Sequence, residues 1–318
     1  MGRMTTALAA LSLALPSLAA TALAEGYPER TVEITVPSSP GATADMLGRV
    51  LADSFTQQFG QRFIVVNKAA ASGVVGTAAV AHAKPDGYTL LHGAAFSLTV
   101  QPLTDMQSGY TYQSFEPICQ TFKNDQVIVA RPDSPLKSAG DLVAAAKARP
   151  GGLNYGHPGI ATIPHLAMIE FANMAGVEFN QVPFKGPSEA VQMTLAGQLD
   201  FAAVPLPTAA ASGLMMPGLF APARNPAIPN VRTMKEQGFD VAPLSFGALV
   251  APAGLPAEIK RKLAEACRVA ARSEAYVRLA KNAFQPDDYY GDSDTLASNL
   301  ARDVAEKKRL LGALGLLK

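Results

Sequence analysis

Apolar and polar residues follow two alternating periods along the chain. Short runs of β-branched and other apolar residues indicate strands, and longer stretches with apolar residues three and four positions apart indicate helices. The strand patterns lie at 32–36, 63–66, 88–91, 127–129, 153–155, 181–183 and 199–201, and the helix patterns at 46–59, 78–83, 138–148, 163–175 and 187–196. Because strands that alternate with helices pair in parallel, the order predicts an α/β fold with mostly parallel sheets flanked by helices.

The pattern changes after the apolar run at 246–250. Only helical periodicity follows, over 257–271 and in a final apolar stripe that includes Leu296, Leu300 and Leu311. We expect this helical tail to pack on a first lobe, and the apolar runs at 126–130 and 246–250 to cross between two lobes. The predicted division is a signal peptide, a first lobe with the C-terminal helices, and a second lobe, at 1–24, 25–126 plus 247–318, and 127–246.

The N-terminal segment has the layout of a cleavable secretory signal. Arg3 precedes an apolar run over 7–15, Pro16 interrupts it, and the small-residue triplet 22–24 follows. The alternative is an uncleaved membrane anchor, but the run falls short of the roughly 20 apolar residues that a span needs. We therefore expect cleavage after Ala24 and a protein free in the periplasm.

Charge and composition narrow the function classes. The chain has 27 basic and 26 acidic residues, and without the signal segment the two numbers are equal at 26. Aromatic residues make up only 7%, and no run of like charges occurs, so the features that bind nucleic acid are missing. The 294 residues after the signal exceed the usual size of one core, which favours two lobes. We expect a monomer without metal or organic cofactor.

The two cysteines, Cys119 and Cys267, leave two alternatives open. An oxidising periplasm permits a disulfide between them, and each is also suited to burial as a small apolar residue. Their spacing does not match a zinc or CxxC redox site.

Two loops between a strand and a helix contain glycine and hydroxyl residues, at 36–45 and 155–165. Unpaired N–H groups at a helix N-terminus attract a carboxylate, so one such loop in each lobe predicts an anion-binding cleft between the lobes. The alternative for the first loop is a capped helix with Ser39 or Thr43 as N-cap. His165 fits either a packed, hydrogen-bonded ring or a ligand contact.

Ten segments together resemble the tripartite tricarboxylate transporter receptor family, also called Bug proteins. The matching segments span nearly the whole chain after the signal and are Tyr27–Arg30, Val36-Pro37, Pro40-Gly41, Asp45, Pro85–Leu90, Pro164–Leu166, Val182–Gly186, Gly197–Asp200, Pro229–Thr233 and Glu236–Gly238. The resemblance implies a two-lobed type II periplasmic-binding-protein-like clamp. It also implies membrane permease subunits as partners and a small organic carboxylate as ligand.

In that family the ligand's carboxylate lies between the two loops, which implicates ten positions here. They are Ser38, Ser39, Gly41, Ala42 and Thr43 in the first lobe, and Gly156, His157, Gly159, Ala161 and Thr162 in the second. This chain departs from the family pattern at Ala42 and Ala161, where glycine is usual, at Phe96, where a hydroxyl residue is common, and at Val204, where an aspartate is frequent. If Phe96 and Val204 line the pocket, a second carboxylate would be poorly solvated there. We therefore expect a monocarboxylate or aromatic acid, unless these changes only compensate for local packing.

Other functions fit less well. No nucleophile elbow, zinc-protease motif, phosphate-binding loop or dinucleotide fingerprint occurs, so we expect no enzymatic activity. A transcription regulator with the same clamp fold would need a helix-turn-helix in place of the signal. Delivery of the ligand to a membrane sensor kinase remains the alternative to transport.

Overall fold

A computed structural model describes residues 26–105 and 108–318. The predicted signal peptide at 1–24, with its cleavage after Ala24, lies outside the described residues. Within them no helix has both the length and the apolar character required to cross a membrane.

The described residues form ten strands. They are β1 (Val32–Val36), β2 (Phe63–Asn67), β3 (Thr89–Ala94), β4 (Phe115–Lys123), β5 (Gln126–Ala130), β6 (Asn154–His157), β7 (Asn180–Pro183), β8 (Phe201–Pro205), β9 (Met215–Phe220) and β10 (Phe246–Pro252). Eleven α-helices accompany them. They are α1 (Thr43–Phe59), α2 (Val74–Ala81), α3 (Phe96–Thr99), α4 (Gln101–Thr104), α5 (Ala139–Ala148), α6 (Ile163–Ala175), α7 (Pro187–Leu195), α8 (Leu206–Ala210), α9 (Ala257–Ala271), α10 (Glu274–Asn282) and α11 (Ser293–Ala313).

The strands form two five-stranded sheets with the same topology. Their orders are β2-β1-β3-β10-β4 and β7-β6-β8-β5-β9. In each sheet the first two pairings are parallel and the last two are antiparallel. The antiparallel pairings arise because one strand of each sheet, β10 or β5, enters from the other lobe. The prediction of two α/β lobes with flanking helices is confirmed, but each sheet is mixed and not mostly parallel as expected.

Local sequence explains why the first helix forms beside the first sheet. Leu47, Leu51 and Phe55 recur at helical spacing, and all three are fully buried in the first core. Gly60 ends α1 in the left-handed conformation, with φ of 70°, and its N–H donates to the Thr56 carbonyl. The helix therefore covers one face of the sheet and begins at the loop that follows β1.

The C-terminal helices complete the first lobe, and a disulfide ties one of them to the sheet. Cys119 on β4 is bonded to Cys267 on α9, and both are fully buried. This settles the two alternatives that the sequence left open. The last helix, α11, is anchored to the first lobe where the Ser293 hydroxyl donates to the Ile118 carbonyl at 2.6 Å.

The far end of α11 reaches the second lobe. Arg309 forms a 2.9 Å ion pair with Glu170 on α6. Leu310 and Leu311 share an apolar cluster with Val100 of the first lobe and with the start of α6. The last helix thus contacts both lobes.

Candidate functional site

A cleft of about 820 Å³ lies between the loop after β1 and the second lobe. The residues that line it are Pro37, Ser38, Ser39, Gly41, Ala42, Thr43, Ala44, Gly93, Ala94, Phe96, Ser97, Phe122 and Asn124 on one side, and Pro187, Ser188, Pro205, Pro207 and Thr208 on the other. None of these lining residues carries a charged side chain. The cleft offers hydroxyl groups, one side-chain amide, backbone N–H groups and two aromatic rings.

The first loop presents the start of α1 to the cleft. Ala42 is the N-cap, with extended backbone angles (φ −66°, ψ 156°), and no side chain caps the helix. The interpretation of Ser39 or Thr43 as the N-cap is therefore wrong. Since the first N–H groups of a helix lack intrahelical acceptors, the backbone at Thr43 and Ala44 can donate to an anion in the cleft.

A polar network behind the cleft fixes the shape of this loop. The Gly41 N–H donates to the Asp45 carboxylate at 2.8 Å, and Arg49 pairs with the same carboxylate at 2.8 Å. The Asn67 amide donates to the Ser38 carbonyl at 3.0 Å and to Asp45 Oδ1 at 2.9 Å. Burial opposes ionisation, but these hydrogen bonds keep the pKa of Asp45 below its usual value. The carboxylate is therefore ionised and supports the loop.

Several polar side chains at the cleft are left without partners. Ser38 Oγ is buried and has no hydrogen-bond partner in the described part of the chain. The side chains of Thr43, Asn124 and Thr208 also make no hydrogen bond to any residue within 26–105 and 108–318. Because buried polar groups are nearly always paired, an unpaired hydroxyl at a cleft indicates a site that a ligand or water completes.

The second loop does not line the cleft. The His157 ring donates from Nδ1 to the Gly159 carbonyl at 2.9 Å, and the Thr162 hydroxyl donates to the same carbonyl at 2.7 Å. The Ala161 N–H donates to His165 Nδ1 at 3.1 Å. The backbone N–H of Ala161, one of the ten positions that the resemblance implicates, is thus bonded to a side chain of its own loop.

Of the two alternatives for His165, the structure shows the packed, hydrogen-bonded ring and not the ligand contact. With Nδ1 accepting from Ala161, Nε2 donates to the Gln181 side chain at 2.7 Å. The ring stacks on His157 with the ring centres 4.4 Å apart. Burial, and then the neighbouring His157, lower the pKa of His165 to about 4, so the ring stays neutral.

Apolar packing explains the position of the second loop. Ala161 adopts a left-handed backbone conformation with φ of 61°, and its methyl group lies in the cluster formed with Val100, Leu310 and Leu311. Gly156 is equally enclosed, because a Cβ there would lie 2.6 Å from Leu199 Cδ1. The starts of α7 and α8 form the second-lobe wall instead.

The remaining implied residues separate into two groups. Ser38, Ser39, Gly41, Ala42, Thr43 and Phe96 line the cleft together. Val204 on β8 is fully buried in an apolar cluster with Val127 and Val191, and it is not among the lining residues. Asn124, Ser188 and Thr208 line the cleft without having been predicted. The only sequence signal for them is their place at the end of a strand or the start of a helix.

Residues 26–105 and 108–318 contain no group of three or more His, Cys, Asp or Glu side chains placed to hold a metal ion.

Comparisons with known proteins identify relatives over almost the whole chain. A family model described as "Tripartite tricarboxylate transporter family receptor" matches residues 47–316. The UPF0065 protein in the gbd 5'region of Cupriavidus necator is 34% identical over 316 residues, which cover 98% of this chain and 96% of that protein. Protein BugT of Bordetella pertussis is 31% identical over 276 residues, covering 83% of this chain and 84% of BugT.

Solved structures agree in fold. A TctC solute binding protein from Polaromonas, crystallised without ligand, superposes with a TM-score of 0.78 at 28% identity, covering 90% of this chain and 99% of that one. R. palustris Rpa4515 with adipate superposes with a TM-score of 0.77 at 24% identity, covering 91% and 98%. The chain therefore belongs to the tripartite tricarboxylate transporter receptor family, and its family and fold are those of solute-binding receptors.

Proposed function

We propose that this protein captures a small molecule with one carboxylate and a less polar distal part, and delivers it to membrane permease subunits. The observation that carries the proposal is the composition of the cleft. It contains unpaired hydroxyl groups and an uncapped helix start, and its lining has no charged side chain. Such a site suits one anionic group that neutral donors can bind.

The carboxylate would bind at the loop after β1. There the first N–H groups of α1 add to the unpaired hydroxyls of Ser38 and Thr43. The helix dipole contributes about 0.3–2 kcal/mol to the binding of an anion at such a position. Ser39, Gly41 and Ala42 complete this proposed anion subsite.

The rest of the cleft lining is largely apolar. Phe96, Phe122 and three proline rings, Pro187, Pro205 and Pro207, contribute to its wall. A second carboxylate would lose water there without meeting a cation, at a cost of several kcal/mol. We therefore propose a monocarboxylate or an aromatic acid. Adipate, which Rpa4515 binds, is a dicarboxylate and would bind this protein more weakly.

We further propose that the lobes close on the ligand. Lining residues come from both lobes, so a bound molecule would contact both and favour the closed arrangement. In that arrangement the loop at 156–162 would support the wall of the cleft. Small-angle scattering with and without saturating ligand tests closure, and identical curves would contradict it.

Native mass spectrometry of the protein purified from the periplasm tests the proposed ligand class. Denaturation and identification of any released compound would follow, with a thermal-shift screen of carboxylates if the protein is empty. A monocarboxylate or aromatic acid supports the proposal. A tricarboxylate would contradict the argument from the neutral cleft, and no stabilisation by any carboxylate would contradict the function itself.

Transport and localisation have separate tests. The intact mass of the exported protein checks cleavage after Ala24. Loss of uptake of the identified ligand on deletion of the gene, with uptake restored by a plasmid copy, supports delivery to a permease. Normal uptake in the deletion strain would favour delivery to a sensor instead.

A further inference from the structure

Asn124 occupies a fixed position between the two lobes. It separates β4 from β5, at one of the two crossovers. Its backbone N–H donates to the Ser245 carbonyl on the other crossover at 2.8 Å, and its carbonyl accepts from the Gln126 side chain at 2.7 Å. Both backbone groups are thus bonded, whereas the half-buried side-chain amide has no partner in the described part of the chain. Asn124 is one of the residues that line the cleft.

The charged neighbours of Asn124 do not line the cleft. Lys123 forms an ion pair with Asp288, and the Asp125 carboxylate accepts from the Asn225 amide at 2.9 Å. Both side chains border a separate cavity of about 310 Å³ beside the crossovers, which Asn124 also borders. Asn124 is the only residue with a side-chain amide among the described residues that line the cleft.

A second unpaired group lies on the adjoining element. The Leu206 N–H donates to the Asp125 carbonyl at 2.9 Å, which fixes the start of α8 beside the crossover. Thr208 follows two residues later, is half-buried and lines the cleft. Its hydroxyl has no partner within the described ranges. An amide and a hydroxyl on neighbouring elements, each able to donate and to accept, therefore border the cleft on its crossover side.

We propose that Asn124 and Thr208 form a distal subsite that selects a neutral hydrogen-bonding group, such as a hydroxyl, carbonyl or amide, at the end of the ligand away from its carboxylate. The inference rests on the proposed function and makes the ligand class narrower. An alkyl end would leave the Asn124 amide unpaired and desolvated, and a second carboxylate would meet no cation. A ligand with a neutral polar end satisfies both side chains.

The test uses isothermal titration calorimetry with four ligands of equal chain length. These are hexanoate, ω-hydroxyhexanoate, the monoamide of adipate, and adipate, with the corresponding butyric and octanoic series to cover other lengths. In the wild type we expect the hydroxy acid or the monoamide to bind about fivefold more tightly than the alkyl acid and the dicarboxylate, the effect of one neutral hydrogen bond.

Variants assign the preference to the subsite. Asn124→Ala and Thr208→Val should each reduce the preference for the polar end to about twofold or less. The polar ligands should bind more weakly, and the alkyl acid should bind equally or more tightly, because its end no longer leaves an amide or hydroxyl unpaired. Asn124→Asp keeps the size of the side chain and should favour ω-aminohexanoate over the hydroxy acid. Asn173→Ala removes an exposed asparagine on α6, away from the cleft, and serves as the matched control.

The outcomes separate the two proposals. If carboxylates bind but the alkyl acid binds as well as the neutral polar ligands in every series, the subsite is wrong and the proposed function stands. The same holds if Asn124→Ala and Thr208→Val keep the wild-type preference. If the dicarboxylate binds as well as the neutral polar ligands, both the subsite and the proposed monocarboxylate class are wrong. If only aromatic acids bind to the wild type, the subsite is wrong and the proposed function stands. If no carboxylate, aliphatic or aromatic, binds to the wild type, the proposed function fails together with the subsite.

Discussion

The side-chain amide of Asn67 donates a 3.0 Å hydrogen bond to the carbonyl of Ser38, and this bond joins the end of β2 to the first cleft loop. Asn67 also donates to Asp45 and accepts from Arg49 at 3.0 Å. One residue outside the cleft therefore connects the loop, the first turn of α1 and the neighbouring strand. The orientation of the loop's donors depends on a residue that a ligand would not touch.

Asn67→Ala should weaken carboxylate binding although Asn67 does not line the cleft. The loss of two donated hydrogen bonds frees the loop at Ser38, and each such bond contributes about 0.5–1.5 kcal/mol. We expect unfolding in urea at a lower denaturant concentration and an affinity about tenfold lower by calorimetry.

Gln58→Ala provides the control for this prediction. Gln58 also donates from its side-chain amide to a backbone carbonyl, that of Ala266 at 3.1 Å, but it lies at the far end of α1. This variant should lose stability without losing affinity. Equal affinities for the two variants would show that Asn67 does not position the loop.

The buried ion pair of Asp303 and Lys307 predicts a large cost for single substitutions. The side chains are 1% and 0% exposed, and the Thr99 hydroxyl donates to Asp303 at 2.6 Å. Lys307→Met leaves a buried carboxylate unpaired and should reduce the free energy of unfolding by about 3–5 kcal/mol. The double variant Asp303→Leu with Lys307→Met should recover most of this loss in urea unfolding. A double variant as unstable as the single one would contradict the explanation.

Removal of the disulfide should destabilise the first lobe. Cys119 and Cys267 are separated by 148 residues, and closure of a loop of that length restricts the unfolded chain by about 5 kcal/mol. Cys119→Ala with Cys267→Ala should therefore unfold at a clearly lower urea concentration than the wild type. The wild type in a reducing agent should approach the variant. Addition of the reducing agent to the variant is the control and should change nothing.

His92 should make stability depend on pH. The ring donates from Nδ1 to the Ala44 carbonyl and accepts at Nε2 from the Thr121 hydroxyl, both at 2.9 Å. Burial lowers the pKa of His92 to about 4, whereas the pKa in the unfolded chain is about 6.5. The unfolded state therefore binds the proton more readily in this window, and stability falls as the pH decreases from about 6.5 to about 4.

Urea unfolding of His92→Gln between neutral and acidic pH measures this contribution. We expect the wild type to lose about 3 kcal/mol more than the variant across the window. His82→Gln, which replaces an exposed ring, should follow the wild-type curve. Parallel curves for the wild type and His92→Gln would contradict the assignment.

Hydrophobic periodicity located most of the elements but missed two strands. The strands β4 and β9 contain Pro117 and Pro217, and β9 also contains Gly218, residues that argue against a strand. Both lie at the edge of their sheet, where a residue without an N–H is tolerated. The strands that β4 and β9 pair with are remote in sequence, so a local pattern could not identify either as a strand.

The candidate site was only partly predictable for a similar reason. The loop after β1 is local, and its glycine and hydroxyl residues indicated the cleft correctly. The loop at 156–162 has the same kind of sequence, yet contacts with His165 and with Leu310 on α11 place it elsewhere. Asn124 could not be found, because the strand before it was not predicted. Tertiary contacts, which residue spacing does not reveal, determine both the position of the loop at 156–162 and the place of Asn124 at the cleft.

The insertion of β10 between β3 and β4 has a consequence for the order in which the lobes form. All strands of the second sheet are available once the chain has been made as far as Phe220, whereas the first sheet lacks its fourth strand until Pro252 has emerged. Until then β3 and β4 have no partner between them, and their unpaired edges are open to other chains. The lobe whose first strand is made first is therefore the later one to be completed, and a chain that is still incomplete needs protection from aggregation mainly on that lobe.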